Sequence, residues 1–137
     1  MATIRERRAL RISARDAWAQ LANVGEVHRL VSFLDGARVE DDTRVCSIAE
    51  DAPFPGELVE TILAVDDGLR RVAYSVTASP FGIAAHAASM EIVDEEGGAT
   101  LVWTTDVKPD EVAAQLKPVI AQEIDHIALR LDAGAAR

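Results

Sequence analysis

The chain's 137 residues, 49% of them hydrophobic, suffice for one domain with a substantial core and are too few for two. Its 23 acidic against 14 basic residues give a net charge of -9, which repels phosphate backbones and anionic membranes and excludes nucleic acid as a partner. A single cysteine, Cys46, excludes an internal disulfide framework, and no stretch approaches the roughly 18 uninterrupted apolar residues that cross a bilayer.

Met1 to Arg5 lacks the apolar run of a signal peptide, so a cytoplasmic protein without membrane insertion is expected. Thr3 to Ile12 reads as a first strand, wet on one face, with Ile4, Leu10 and Ile12 apolar among charged neighbours. Ser13 then begins a capping box with Asp16, its hydroxyl accepting from the Asp16 amide, and a helix follows over 14–22. Gly25 breaks that run before a second short helix over 26–33, which ends at the Asp35-Gly36 turn.

From there the period is that of strands. Asp41-Asp42, Pro53-Phe54-Pro55-Gly56, Asp67-Gly68 and Gly97-Gly98 supply turns between strands near 37–41, 43–49, 57–66, 69–78, 83–94 and 99–107. No helical pattern long enough for a crossover separates them, so they pair as antiparallel hairpins. Val112, Leu116, Ile120, Ile124, Ile127 and Leu131 form the apolar stripe of a last helix over 110–131, with Pro118 expected to kink or restart it. The order predicts a single α+β domain over residues 1–137.

That order, with Arg44, Glu60, the Val65-Asp66-Asp67-Gly68 turn before Arg70-Arg71, Tyr74, Ser79-Pro80, Val102-Trp103-Thr104 and Pro109, resembles the helix-grip fold of the START and birch-pollen-allergen superfamily. More narrowly it is similar to the bacterial polyketide cyclase/dehydrase-like branch. The resemblance covers nearly the whole chain. It implies a curved antiparallel sheet of six to seven strands wrapped around the long C-terminal helix, with two short helices after the first strand and a cavity for a small hydrophobic molecule. His86 stands where relatives commonly carry a tyrosine, and an imidazole there changes the proton chemistry near neutral pH.

Strand alternation names the cavity wall. Ala84, His86, Ala88, Met90 and Ile92 share a face, and the small alanines beside His86 leave room that a packed core would fill. Val72, Tyr74 and Val76 share the apolar face of the preceding strand, and Cys46 and Ile48 that of the strand at 43–49. On the strand at 57–66 the pattern leaves two faces open, Glu60, Ile62 and Ala64 against Val59, Leu63 and Val65. The resemblance to plant hormone receptors of the superfamily, which place a glutamate in their pocket, implies that Glu60 points inward.

Glu60, Tyr74 and His86 are therefore the candidate catalytic groups, a carboxylate and an imidazole able to exchange a proton beside a carbonyl and a phenol able to bond its oxygen. Cys46, Ile48, Ile62, Ala88, Met90, Trp103, Ile120, Ile127 and the stripe-edge Glu123 are candidate ligand contacts, and Phe54 and Phe81 sit in loops that rim the mouth. The alternative is that His86 and Glu60 satisfy each other, that Glu123 is solvated and that Cys46 is packing. His28 and His126 read as surface groups, and three histidines on separate elements carry no metal-ligand spacing.

No nucleotide loop or other cofactor fingerprint is present, so any chemistry is expected to be cofactor-independent. Two functional classes follow: a cyclase- or dehydratase-like enzyme for a polyketide-like or aromatic substrate, and a non-catalytic carrier or sensor of a hydrophobic metabolite or lipid. A third, a homodimer pairing through Val59, Leu63 and Val65, rests on the other face of the same strand.

Overall fold

The computed structural model describes residues 1–137. Its elements are β1 (Ala2–Leu10), α1 (Ala14–Leu21), a 3-10 helix (Val24–Arg29), β2 (Leu34–Glu40), β3 (Thr43–Ile48), β4 (Glu57–Asp66), β5 (Arg71–Ala78), β6 (Ala85–Glu95), β7 (Gly98–Lys108) and α2 (Asp110–Ala133). The seven strands make one antiparallel sheet in the order β1-β7-β6-β5-β4-β3-β2. Hairpins run consecutively from β2 to β7, and β1 returns to lie beside β7, with Ile4 opposite Thr105. Helix α2 packs against β1, β7 and α1, and its buried stripe, including Ile120, Ile124, Ile127 and Leu131, joins the core. This is the α+β arrangement that the element order predicts.

The Ser13 cap forms, its hydroxyl accepting from the Asp16 amide at 3.1 Å. Four departures from the expected elements bear on how the chain is held together. Strand β1 stops at Leu10 because the amides of Arg11 and Ile12 donate to the Asp132 carboxylate on α2, at 2.8 and 3.2 Å. The second short helix begins at Val24 and is a 3-10 helix, six residues carrying Gly25 inside it and ending at Arg29. Asp35-Gly36 is a bulge within β2, where the register skips from Leu34 opposite Ile48 to Gly36 opposite Ser47. Helix α2 runs through Pro118 without restarting; Pro118 and Ala114 are both exposed, so the carbonyl that loses its intrahelical donor can be solvated.

Strand β4 has the largest consequence for the site. Leu63 is skipped between the pairs Ile62 with Tyr74 and Ala64 with Ala73, so the strand changes face there. Glu60 and Ile62 share a face with Val76 and Tyr74, while Ala64 does not, and Val65 comes opposite the inward Val72. The expected stripe of Val59, Leu63 and Val65 is therefore not a continuous face: Val59 pairs with Val45 on the outer surface, and Leu63 is the extruded residue, 58% exposed.

Candidate functional site

Between the inner face of the sheet and α2 lies a cavity of about 110 Å³ lined by 23 residues, 17 of them hydrophobic. The apolar wall comes from the 3-10 helix and its flanks (Leu21, Val27, Leu30, Val31), the sheet (Leu58, Val72, Met90, Trp103) and α2 (Leu116, Val119, Ile120). Phe33 and Phe81 reach it from two loops. Phe54 bridges them edge-on from the loop between β3 and β4, its ring 5.1 Å from that of Phe33 and 4.8 Å from that of Phe81.

Polar groups gather on the sheet side. Arg44 and Glu60 lie opposite each other in the β3–β4 register, and Arg44 Nε donates to Glu60 Oε1 at 2.8 Å with both side chains buried. Burial alone disfavours the guanidinium charge, but Glu60 outweighs it and holds Arg44 above its ordinary value, so the guanidinium keeps its charge. Arg44 Nη1 also donates to the Val24 carbonyl at 3.1 Å, and its guanidinium lies 5.5 Å from the centre of the Tyr74 ring. Cys46 donates its thiol to Glu60 Oε1 at 3.5 Å; burial, then the Glu60 charge, pushes that thiol up to about 12, so it is no thiolate at neutral pH.

Tyr74 is buried and its hydroxyl oxygen accepts from Trp103 Nε1 at 2.9 Å; burial, with the Glu60 charge adding to it, raises its pKa and keeps it protonated. The hydroxyl proton has no acceptor in the protein. His86 Nδ1 accepts from the Val76 amide at 3.0 Å, which puts the ring's own hydrogen on Nε2, and burial lowers its pKa and favours the neutral form. Nε2 makes no hydrogen bond to the protein. Glu60 and His86 are not bonded to each other: the carboxylate engages Arg44 and Cys46, the imidazole engages Val76.

Of the residues expected from the sequence, Glu60, Tyr74, Phe81, His86, Met90, Trp103, Ile120 and Glu123 line the cavity. Cys46, Ile48, Ala88 and Ile127 do not; they are buried behind the wall as packing, and Phe54 and Ile62 pack against that core half-buried. Glu123 is 4% exposed and accepts from the amide and, at 2.7 Å, the hydroxyl of Ser32, tying α2 to the segment before β2. His28 sits 3.7 Å from Glu26, and neither it nor His126 is part of the wall. Sequence reasoning gave Arg44 no place in the site although it shares an inward face with Cys46, because an arginine in a strand reads as solvated. Thr105 was missed too, two residues from Trp103 on the same face.

No curated protein matches the chain in sequence. Its fold is shared with an uncharacterized protein from Bacillus thuringiensis (TM-score 0.84, 11% identity, 95% of this chain and 98% of that one). It is likewise similar to the Zhui aromatase/cyclase from Streptomyces sp. R1128 (TM-score 0.75, 14% identity, 98% and 93% covered). Norcoclaurine synthase from Thalictrum flavum aligns at TM-score 0.72 and 16% identity, over 96% of this chain and 84% of that one, and another structure of that enzyme holds dopamine and hydroxybenzaldehyde. These likenesses establish the helix-grip fold. With the profile of that family matching residues 1–132, the chain belongs to the polyketide cyclase/dehydrase and lipid transport family.

Proposed function

We propose that the chain binds one small hydrophobic molecule, polyketide-like or aromatic, in the cytoplasm, its apolar body against the aliphatic wall and its polar end toward Arg44, Glu60, Tyr74 and His86. The observation that carries this reading is a protonated, buried Tyr74 hydroxyl without an acceptor on the polar side of a mostly apolar cavity. A native core rarely leaves such a donor unused or such a space unfilled. The family's description and a norcoclaurine synthase of the same fold holding two small aromatic molecules support it. Each 100 Å² of apolar surface that the ligand buries contributes roughly 2.5 kcal/mol, which suits a site that selects by hydrophobicity first.

Native mass spectrometry of the freshly purified protein, with extraction of whatever is retained, tests this. A retained aromatic or polyketide-like molecule is the expected result; an ordinary fatty acid in its place shifts the reading to a lipid carrier. A protein that is empty and gains no thermal stability from any hydrophobic compound would sink it.

The family description also favours a catalytic form of the same reading, cyclisation or dehydration without a cofactor, with Glu60 and His86 moving the proton and Tyr74 bonding the substrate oxygen. It requires Glu60 to act from within its pair with Arg44. Under it His86→Ala abolishes turnover while affinity falls much less; in a carrier the same change moves affinity and there is no turnover to lose.

A further inference from the structure

We infer that the cavity opens along a seam between β5 and β6, and that His86 is the catch that holds the seam shut while its ring is neutral. The inference rests on the cavity being the ligand site and concerns how that site is entered. Strand β5 runs from Arg71 to Ala78, yet its pairing with β6 ends at Tyr74 opposite Ala88. Beyond that point Ser75, Val76 and Ala78 stay paired with β4, while Ala85, His86 and Ala87 stay paired with β7, so the two parts of the sheet diverge. Two side-chain hydrogen bonds cross the divide in place of the ladder. The Ser75 hydroxyl donates to the His86 carbonyl at 2.5 Å, and the Val76 amide donates to His86 Nδ1 at 3.0 Å. Val76 and His86, one on each side of the seam, both line the cavity. Thr77 and Ala87 beside them are exposed, and Ala84, Ala85 and Ala87 carry no side chain large enough to plug a gap. Separation of the strands here joins the cavity to solvent and leaves the paired part of the ladder intact.

The two bonds differ in what breaks them. The Ser75 bond ends on a carbonyl oxygen, which does not titrate. The Val76 bond ends on the Nδ1 lone pair, which a second proton on the ring removes; N–H then faces N–H and the ring must turn away. Glu60 on β4 and Asp106 on β7 favour that protonation, but burial opposes it more strongly and sets the folded pKa below 6.5. The other titratable wall groups are Tyr74 on β5, its ring 5.7 Å from that of His86, Arg44 on β3, paired with Glu60, and Glu123 on α2, bonded to Ser32. The loop from Ser79 to Ala84 carries no charge. The catch is therefore shut at pH 7 and released as the pH falls through the folded value.

The test is the kinetics of indane binding, read from amide NMR line shapes at pH 7 and pH 5. A catch alters the path and not the contacts, so association and dissociation should both be about tenfold faster at pH 5, the worth of one hydrogen bond, with Kd nearly unchanged. His86→Asn, whose side-chain oxygen supplies an acceptor in place of Nδ1 and does not titrate, should keep the slow rates at both pH values. His86→Leu, which supplies none, should show the fast rates at both. Since each variant also alters the packing of the wall, a second measurement uses the unaltered protein. The hydrogen-exchange protection of the Val76 amide, corrected for the intrinsic pH dependence of exchange, should fall about tenfold between pH 7 and pH 5, while that of Val72 in the paired ladder holds. Rates indifferent to pH, faster dissociation with unchanged association, or Val76 protection that stays level as His86 titrates overturns the inference and leaves the cavity reading intact. Failure of indane to bind at either pH overturns the cavity reading and this inference with it.

Discussion

Arg44 and Glu60 can be buried only as a pair, and the consequences of that fall on single residues. Arg44→Leu leaves a carboxylate in the core without its countercharge and should cost about 3–5 kcal/mol in urea unfolding. Arg44→Leu combined with Glu60→Leu should cost markedly less, because neither charge is then stranded. His86 has the opposite character. Burial lowers its folded pKa below the ordinary 6.5, so the unfolded chain takes up the proton more readily. Its contribution to stability is complete above 6.5 and is lost as the pH falls from there through the lower folded value. Thermal midpoints between pH 7 and pH 5 should decline, and His86→Gln should flatten that decline. At this scale the sequence was legible where alternation was strict, as for Tyr74, His86 and Met90. It was not legible for Arg44, whose burial depends on a partner sixteen positions away in the chain.

Elements were readable where turn residues punctuate them, and less so where the chain departs from period two or from the regular helix. The limits of β4 are those that its flanking turns predict, 57–66, yet its faces were not, since the bulge at Leu63 carries no glycine to announce it. The same holds for the 3-10 helix, whose place is set by tertiary contacts. One of these is the bond from Arg44 Nη1 to the carbonyl of Val24, its first residue; beyond its end, Glu123 holds Ser32 and docks the segment leading into β2 onto α2. Glu123→Ala should destabilise the fold by about 1.5–3 kcal/mol, the worth of hydrogen bonds to a charged group. Amide hydrogen exchange should rise most at Ser32 and its neighbours; uniform acceleration along the chain would argue that Glu123 has no local role.

For the molecule as a whole, a seven-stranded sheet and a 24-residue helix leave a space that their own side chains do not fill. The fold follows from element order and hairpin turns, both visible in sequence, whereas the volume left over is a small difference between large packed volumes and is visible only in three dimensions. Met90→Trp should occupy that volume: far-UV circular dichroism should be unchanged, stability within about 1–3 kcal/mol of the parent, and indane binding lost. A ligand at a hundredfold its Kd should raise stability by about 2.7 kcal/mol in the parent and leave the filled variant unmoved.

The two tryptophans divide the intrinsic emission of this protein into a reporter and a reference. Trp103 stands in the cavity wall with its indole nitrogen bonded to Tyr74. Trp18 stands on α1, outside that wall, its indole nitrogen held at 2.9 Å by Asp67 in the turn between β4 and β5. Occupation of the cavity alters the surroundings of the first indole and leaves those of the second alone, so the ratio of their emissions measures occupancy without any label.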